Sequence, residues 1–135
     1  MRLHHGLYLF HHVDAIVGGR QDWLLRFDQQ QQIVIVGDYD ADGATSTALM
    51  LLALRDMGAK VDYVVPDRFK YGYGLTPKIA DLVQEKYQPK LMITVDNGIS
   101  SHAGVEQAQQ HGMQVIITDH HLTTKPTPNA EAVVN

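Results

Sequence analysis

The chain has 135 residues and a mass of 15.1 kDa, which allows one ordinary domain and hardly a second. Apolar residues make up 44% and charged residues 19%, so a packed core is attainable and wholesale disorder is excluded. The formal net charge of −4 argues against a protein that grips nucleic acid by bulk positive charge alone.

The first stretch is the least regular. Residues 7–16 and 23–27 read as one or two helices broken at Gly18 and Gly19, so residues 1–28 are taken as an N-terminal helical segment ahead of a domain over 29–135. The opening residues Met1, Arg2, Leu3, His4 and His5 do not form a signal peptide, and no run reaches the roughly 20 apolar residues of a membrane span. Cysteine is absent, which excludes disulfides and thiolate metal sites and fits a reducing cytoplasm.

The glutamine run at 29–32 leads into the apolar run 33–36, the first of four short β-branched stretches; the others are 61–65, 91–95 and 115–117. Each predicts a strand. The first, third and fourth are nearly continuous in apolar character, as parallel strands covered on both faces are. Residues 44–57 predict an apolar helix stopped by Gly58. Residues 78–87 predict a second, started by Thr76 and Pro77 and followed by Pro89. Residues 102–111 predict a third, ended by Gly112. A loop at 125–128 precedes a fifth strand beginning at 132–134. The pattern breaks off there, and the expectation is a piece of a longer protein. The predicted fold is α/β: a parallel sheet of about five strands with helices on both faces, built from repeated βαβ units of about 30 residues.

The polar residues gather on this skeleton. Asp38, Asp40 and Asp42 follow the first strand, Asp67 and Arg68 the second, Asp96, Asn97 and Gly98 the third, and Asp119, His120 and His121 the fourth. All four sets lie at carboxyl ends of strands, the edge where open α/β sheets bind ligands. Loop polarity and helix capping account for one or two such sets, but poorly for four. Residues 27–54 and 91–124 contain no Lys or Arg and carry seven acidic residues, so a net −7 sits in two segments and +3 in the remainder. Acid concentrated in two separate segments suggests a shared cation site.

Three carboxylates within five residues, Asp38 to Asp42, repel one another unless a cation intervenes. Oxygen and imidazole donors without sulfur suit Mn²⁺ or Mg²⁺, with zinc and iron less favoured. A calcium loop would continue to a Glu at its twelfth position, and here an apolar helix takes over. Asp119, His120 and His121 add imidazole; an isolated His pair is as often structural as functional. The other six histidines are read as surface or packing residues. The loop 66–75 offers Arg68 and Lys70 for phosphate, aromatic rings for base or sugar, and Gly72 and Gly74 for close backbone approach.

Taken in order, VIVGDYDADGATSTAL, VVPDRFKYGYGL, ITVDNGISSHAG and VIITDHH resemble the first three motif regions of the DHH phosphoesterase superfamily, nearest to its RecJ branch of single-strand DNA exonucleases. The likeness covers about residues 33–135. It implies a manganese- or magnesium-dependent phosphodiesterase with two ions, degrading single-stranded DNA from the 5′ end in repair and recombination. It further implies Asp40, Asp42, Asp96 and His120 as metal ligands, with Asp96 bridging and Asp38 an additional ligand or support. His121 and Arg68 would contact substrate phosphate, with Gly72 and Gly74 lining that subsite. Two departures stand out: pyrophosphatase-like members carry a His where this chain has Val36, and RecJ-like chains carry an acidic residue where this chain has Tyr71. The superfamily's fourth motif and its C-terminal substrate domain would lie beyond Asn135, so this chain alone is expected to be inactive or weakly active. Three other readings stay open: a DHH phosphatase of small nucleotides or short oligonucleotides, a haloacid-dehalogenase-like phosphatase with Asp40 as nucleophile, and a non-catalytic nucleotide-binding domain.

Overall fold

The β-branched runs form strands wherever both faces can be covered. In the computed structural model, which describes residues 30–135, these are β1 (Ile33–Val36), β2 (Val61–Val64), β3 (Leu91–Val95), β4 (Gln114–Thr118) and β5 (Ala132–Val134). The helical segment expected over 1–28 lies outside the described residues. All neighbouring strands pair in parallel, in the order β2-β1-β3-β4-β5, with Ile33 opposite Val61 on one side and Leu91 on the other. β1 and β3 are buried along their whole length, as the continuous apolar runs require.

The described residues form four helices: α1 (Ala41–Asp56), α2 (Arg68–Tyr71), α3 (Pro77–Tyr87) and α4 (His102–Gln110). α1 packs on one face, where Leu54, Met50 and Leu51 meet Ile33, Ile35, Leu91 and Ile93. α3 and α4 cover the other, where Ile79, Val83, Val105 and Ala108 meet Val34, Val36, Met92 and Ile117. α1 starts three residues before the apolar stretch because Asp40 caps it, its Oδ1 accepting from Gly43 N at 2.9 Å. α2 falls where the sequence predicts a loop. Asp67 caps this single turn by accepting from Phe69 N at 2.9 Å, and Gly72 ends it at φ 85°, a left-handed conformation that favours glycine.

At Gly104, α4 closely approaches the segment just ahead of α3, where an added Cβ would overlap the Leu75 carbonyl oxygen. Further along, Gln107 Nε2 donates to Asp81 Oδ1 at 2.7 Å and His111 Nε2 lies 2.6 Å from the same oxygen. These contacts tie α4 to α3 and hold the Asp81 carboxyl below its ordinary range, with His111 the larger cause. Overpacking at Gly104 cannot be relieved by moving a flexible side chain, because the obstacle is backbone. Gly104→Ala is therefore expected to destabilise the chain by about 1–3 kcal/mol, at roughly 4 °C of melting temperature per kcal/mol. A thermal melt unchanged by the substitution would show that α4 does not sit this close.

Candidate metal centre

Parallel strands put all their carboxyl ends on one edge. From β1 the chain turns through α1 toward β2, whereas β3 lies on the other side of β1 and leads to α4. The connections diverge at β1 and β3, opening a crevice where the strand order reverses. Asp38 and Asp40 follow β1 at this point, and Asp96 follows β3.

Three local devices place these carboxylates. Asp96 takes a left-handed conformation at φ 62°, which Asp and Asn tolerate better than most residues. Asn97, 1% exposed, donates through Nδ2 to Val36 O and Val95 O, each at 3.0 Å, and so staples the end of β1 to the end of β3. Gly43 lies against the Asp38 backbone, with no room for a Cβ, so α1 clamps the turn that carries Asp38. Asp38 Oδ1 accepts from Tyr39 N at 2.7 Å and from Arg68 Nη2 at 3.1 Å, while the same Arg68 nitrogen lies 3.7 Å from Asp40 Oδ2.

Two sets of ligand atoms result. Asp38, Asp40 and Asp96 have donor atoms within 4.8 Å of one another, and so do Asp96, His120 and His121. Asp96 belongs to both. Its carboxyl is pushed up, first by burial and then by the charge of Asp40. Asp40 is held below its ordinary value, chiefly by the Gly43 backbone N–H. The carboxylates sit close enough to resist joint ionisation.

Asp119 is a further member of the site. Its Oδ2 accepts from Ile99 N at 2.9 Å, and its Oδ1 accepts from His120 N at 2.8 Å and from His121 N at 3.2 Å. His121 Nδ1 lies 2.6 Å from that Oδ1. Burial pushes the Asp119 carboxyl up, but these bonds outweigh it and the net shift is downward. The bond to Asp119 raises the His121 imidazole. Tyr73 Oη lies 3.4 Å from His121 Nε2, so His121 is held at both ring nitrogens. Asp119 was legible only as the residue before two histidines, Asn97 only as the residue after Asp96, and nothing in the sequence pairs Tyr73 with His121.

Asp42 stands apart from both ligand sets. It is exposed in the first turn of α1 and lines a cleft of about 500 Å³ with Thr45, Ser46, Leu49, Asp96, Asp119, His120 and others. Arg68 reaches the acidic group, as described above. Gly72 and Gly74 have φ of 85° and 70°, so the backbone of their turn calls for glycine. Of the remaining histidines that the structure describes, His102 is exposed and His111 pairs with Asp81.

The donor set fits a hard divalent cation. Asp38 Oδ2 and Asp96 Oδ1 are buried without a hydrogen-bond partner, and such oxygens are costly to leave unmet. His120 Nε2 lies 2.7 Å from Asp96 Oδ1 but without hydrogen-bond geometry, so two lone-pair donors converge on one region. Carboxylate and imidazole donors together suit Mn²⁺, while an all-oxygen group also suits Mg²⁺.

Comparison with known proteins identifies the family. The DHH family, N-terminal domain, matches residues 32–135. The single-stranded-DNA-specific exonuclease RecJ of Escherichia coli is 54% identical over 110 residues, covering 81% of this chain and 19% of that protein. RecJ of Thermus thermophilus is 40% identical over 101 residues, covering 74% and 15%. A crystal structure of exonuclease RecJ bound to manganese superposes with a TM-score of 0.73 at 36% identity, over 82% of this chain and 28% of that one. The crystal structure of Thermus thermophilus RecJ in complex with Mn²⁺ gives 0.67 at 32% identity, over 81% and 15%. The chain thus spans about a fifth or less of the length of these curated relatives. With its parallel sheet, its acidic turn after β1 and its Asp-His-His run after β4, the chain belongs to the DHH family.

Proposed function

We propose that this domain is a metal-binding part of a phosphodiesterase that removes nucleotides from the 5′ end of single-stranded DNA during repair and recombination. The observation that carries the reading is Asp96, one carboxylate shared by two ligand sets. Shared carboxylates hold paired ions about 4 Å apart in two-metal phosphodiester hydrolysis. The relatives named RecJ, two of them solved with manganese, support both the substrate and Mn²⁺ as the cofactor. Among the described residues no helix is long and apolar enough to cross a membrane. The proposed location is the cytoplasm, where a DNA substrate is at hand.

Each residue then has a task. Asp38, Asp40 and Asp96 hold one cation, and Asp96, His120 and His121 surround the second position. Asp42, on the wall of the same cleft, is a further candidate ligand reached through a side-chain rotation or a water. Bound divalent ions supply the positive charge that activates water and neutralises the phosphate. Asp119 fixes His121 Nδ1, and the imidazolium that this bond favours donates through Nε2 to a phosphate oxygen that takes the place of Tyr73 Oη. Arg68 presents its guanidinium beside the acidic group and steadies a strand phosphate, and Gly72 and Gly74 let the backbone of that loop approach it.

The test is digestion of single strands labelled at either end by the full-length protein. Mn²⁺-dependent release of mononucleotides from the 5′ end, stopped by chelation, is expected. Release from the 3′ end, or cleavage indifferent to chelator, overturns the reading.

A further inference from the structure

Four aromatic rings are largely exposed among the described residues: Tyr39, Tyr63, Phe69 and Tyr73. An isolated exposed ring is ordinary. Three of these four, however, belong to the stretch of chain at a single guanidinium: Tyr73 by contact, and Tyr39 and Phe69 as sequence neighbours of the residues involved. Arg68 bonds Asp38 and approaches Asp40, the residues on either side of Tyr39. It also lies 6.0 Å from the Tyr73 ring centroid and directly precedes Phe69.

Phe69 is 94% exposed, and its display is built in. It stands on α2, whose first turn is capped by Asp67. The last residue of that turn, Tyr71, packs on the core and accepts through its carbonyl from Thr76 Oγ1 at 3.0 Å. Lys70 Nζ lies 5.0 Å over the Tyr71 ring, so the neighbouring cation is also held. With Tyr71 inward and Arg68 on the carboxylates, the turn leaves Phe69 facing solvent at the edge of the candidate metal centre.

Resting on the single-strand reading above, we infer that Phe69 and Tyr39 form a stacking platform for bases of the incoming strand beside the phosphate held by Arg68. The acidic edge repels a phosphate backbone wherever cations do not mask it. Base stacking gives affinity there without needing positive charge, and it accepts every base because every base has a π face. The platform therefore fits an enzyme that takes unpaired strands of any sequence. Bases already stacked in a duplex do not offer that face.

The experiment measures initial rates of the full-length protein with Mn²⁺ on a single-stranded oligonucleotide and on the same strand with abasic nucleotides near its 5′ end. Phe69→Ala is expected to raise KM about tenfold with kcat little changed, in keeping with roughly 1–3 kcal/mol per stacked base. Phe69→Trp restores KM. Wild-type protein loses affinity for the abasic strand, whereas Phe69→Ala treats the two strands alike. The slope of log KM against log salt stays the same in Phe69→Ala, because no phosphate contact is removed, and falls in Lys70→Ala. Cleavage with KM unchanged in Phe69→Ala, or a rise that is equally large for the abasic strand, overturns this inference and leaves the proposed function standing. Wild-type protein that leaves single strands intact overturns the proposed function and the platform with it.

Discussion

Asp96→Asn in the full-length protein is expected to lower strand hydrolysis by at least about a hundredfold while leaving the fold intact. Loss of a residue that merely orients a metal ligand costs roughly 10–100-fold, and Asp96 is placed to serve two ion positions at once. Asparagine is the informative replacement. It keeps the left-handed backbone at φ 62°, where alanine would add strain of its own. Burial and the neighbouring Asp40 both penalise the charged Asp96, so a neutral amide removes a repulsion. The melting temperature in chelator should therefore hold or rise. Initial rates and thermal melts of the same preparation separate the outcomes. A variant that keeps more than a tenth of the activity shows that Asp96 is not shared, and one that unfolds shows that its carboxylate is structural.

Addition of Mn²⁺ to the chain is expected to raise its melting temperature, and chelator to reverse the rise. A ligand present at about 100 times its dissociation constant stabilises the folded state by about 2.7 kcal/mol, which for a domain of this size is a shift on the order of 10 °C. The source is the crowded acid at the crevice. Asp38 Oδ2 and Asp96 Oδ1 are buried without hydrogen-bond partners, and an ion that meets both removes their desolvation cost and their mutual repulsion. Asp96→Asn should abolish most of the shift. Asp81→Asn, which alters the surface contact between α3 and α4, should leave it. A melt indifferent to millimolar Mn²⁺ would mean that the carboxylates do not converge as described.

The acidic turn after β1 shows how far local pattern reaches. That Asp38, Asp40 and Asp42 follow a strand is visible in a single stretch of chain, and so is their shared repulsion. Which of them meet Asp96 is not. Asp40 turns its Oδ1 back onto Gly43 to start α1 and so fixes its own position, whereas Asp42 falls two residues further along, exposed in the first turn of that helix. The difference comes from helix geometry: the first turn rotates successive side chains by about 100°, so neighbours in sequence leave in different directions.

The loop after β2 shows a different limit. Its composition of Gly, Pro, charge and aromatic residues reads as irregular, and yet Arg68–Tyr71 forms a helical turn. Asp67 supplies a cap and Tyr71 supplies a half-buried anchor. Capping and anchoring are contacts to specific atoms. Neither has a period for sequence reading to detect.

What the sequence determined by itself was the sheet and its edge. Continuous β-branched runs such as 33–36 and 91–95 are soluble only when helices cover both faces, and the intervening helical stretches force parallel crossovers that bring every strand end to one side. The polar residues that follow the strands therefore share one edge of the sheet. The tertiary structure alone decided the ligand sets, because these depend on strand order. β1 sits next to β3 although β2 lies between them in the chain, and Asn97 ties their ends across 61 residues of sequence. It also decided the support of His121 by Asp119 and Tyr73, and the display of Phe69. Long-range pairing and side-chain direction are properties of the packed core, and no local periodicity encodes them.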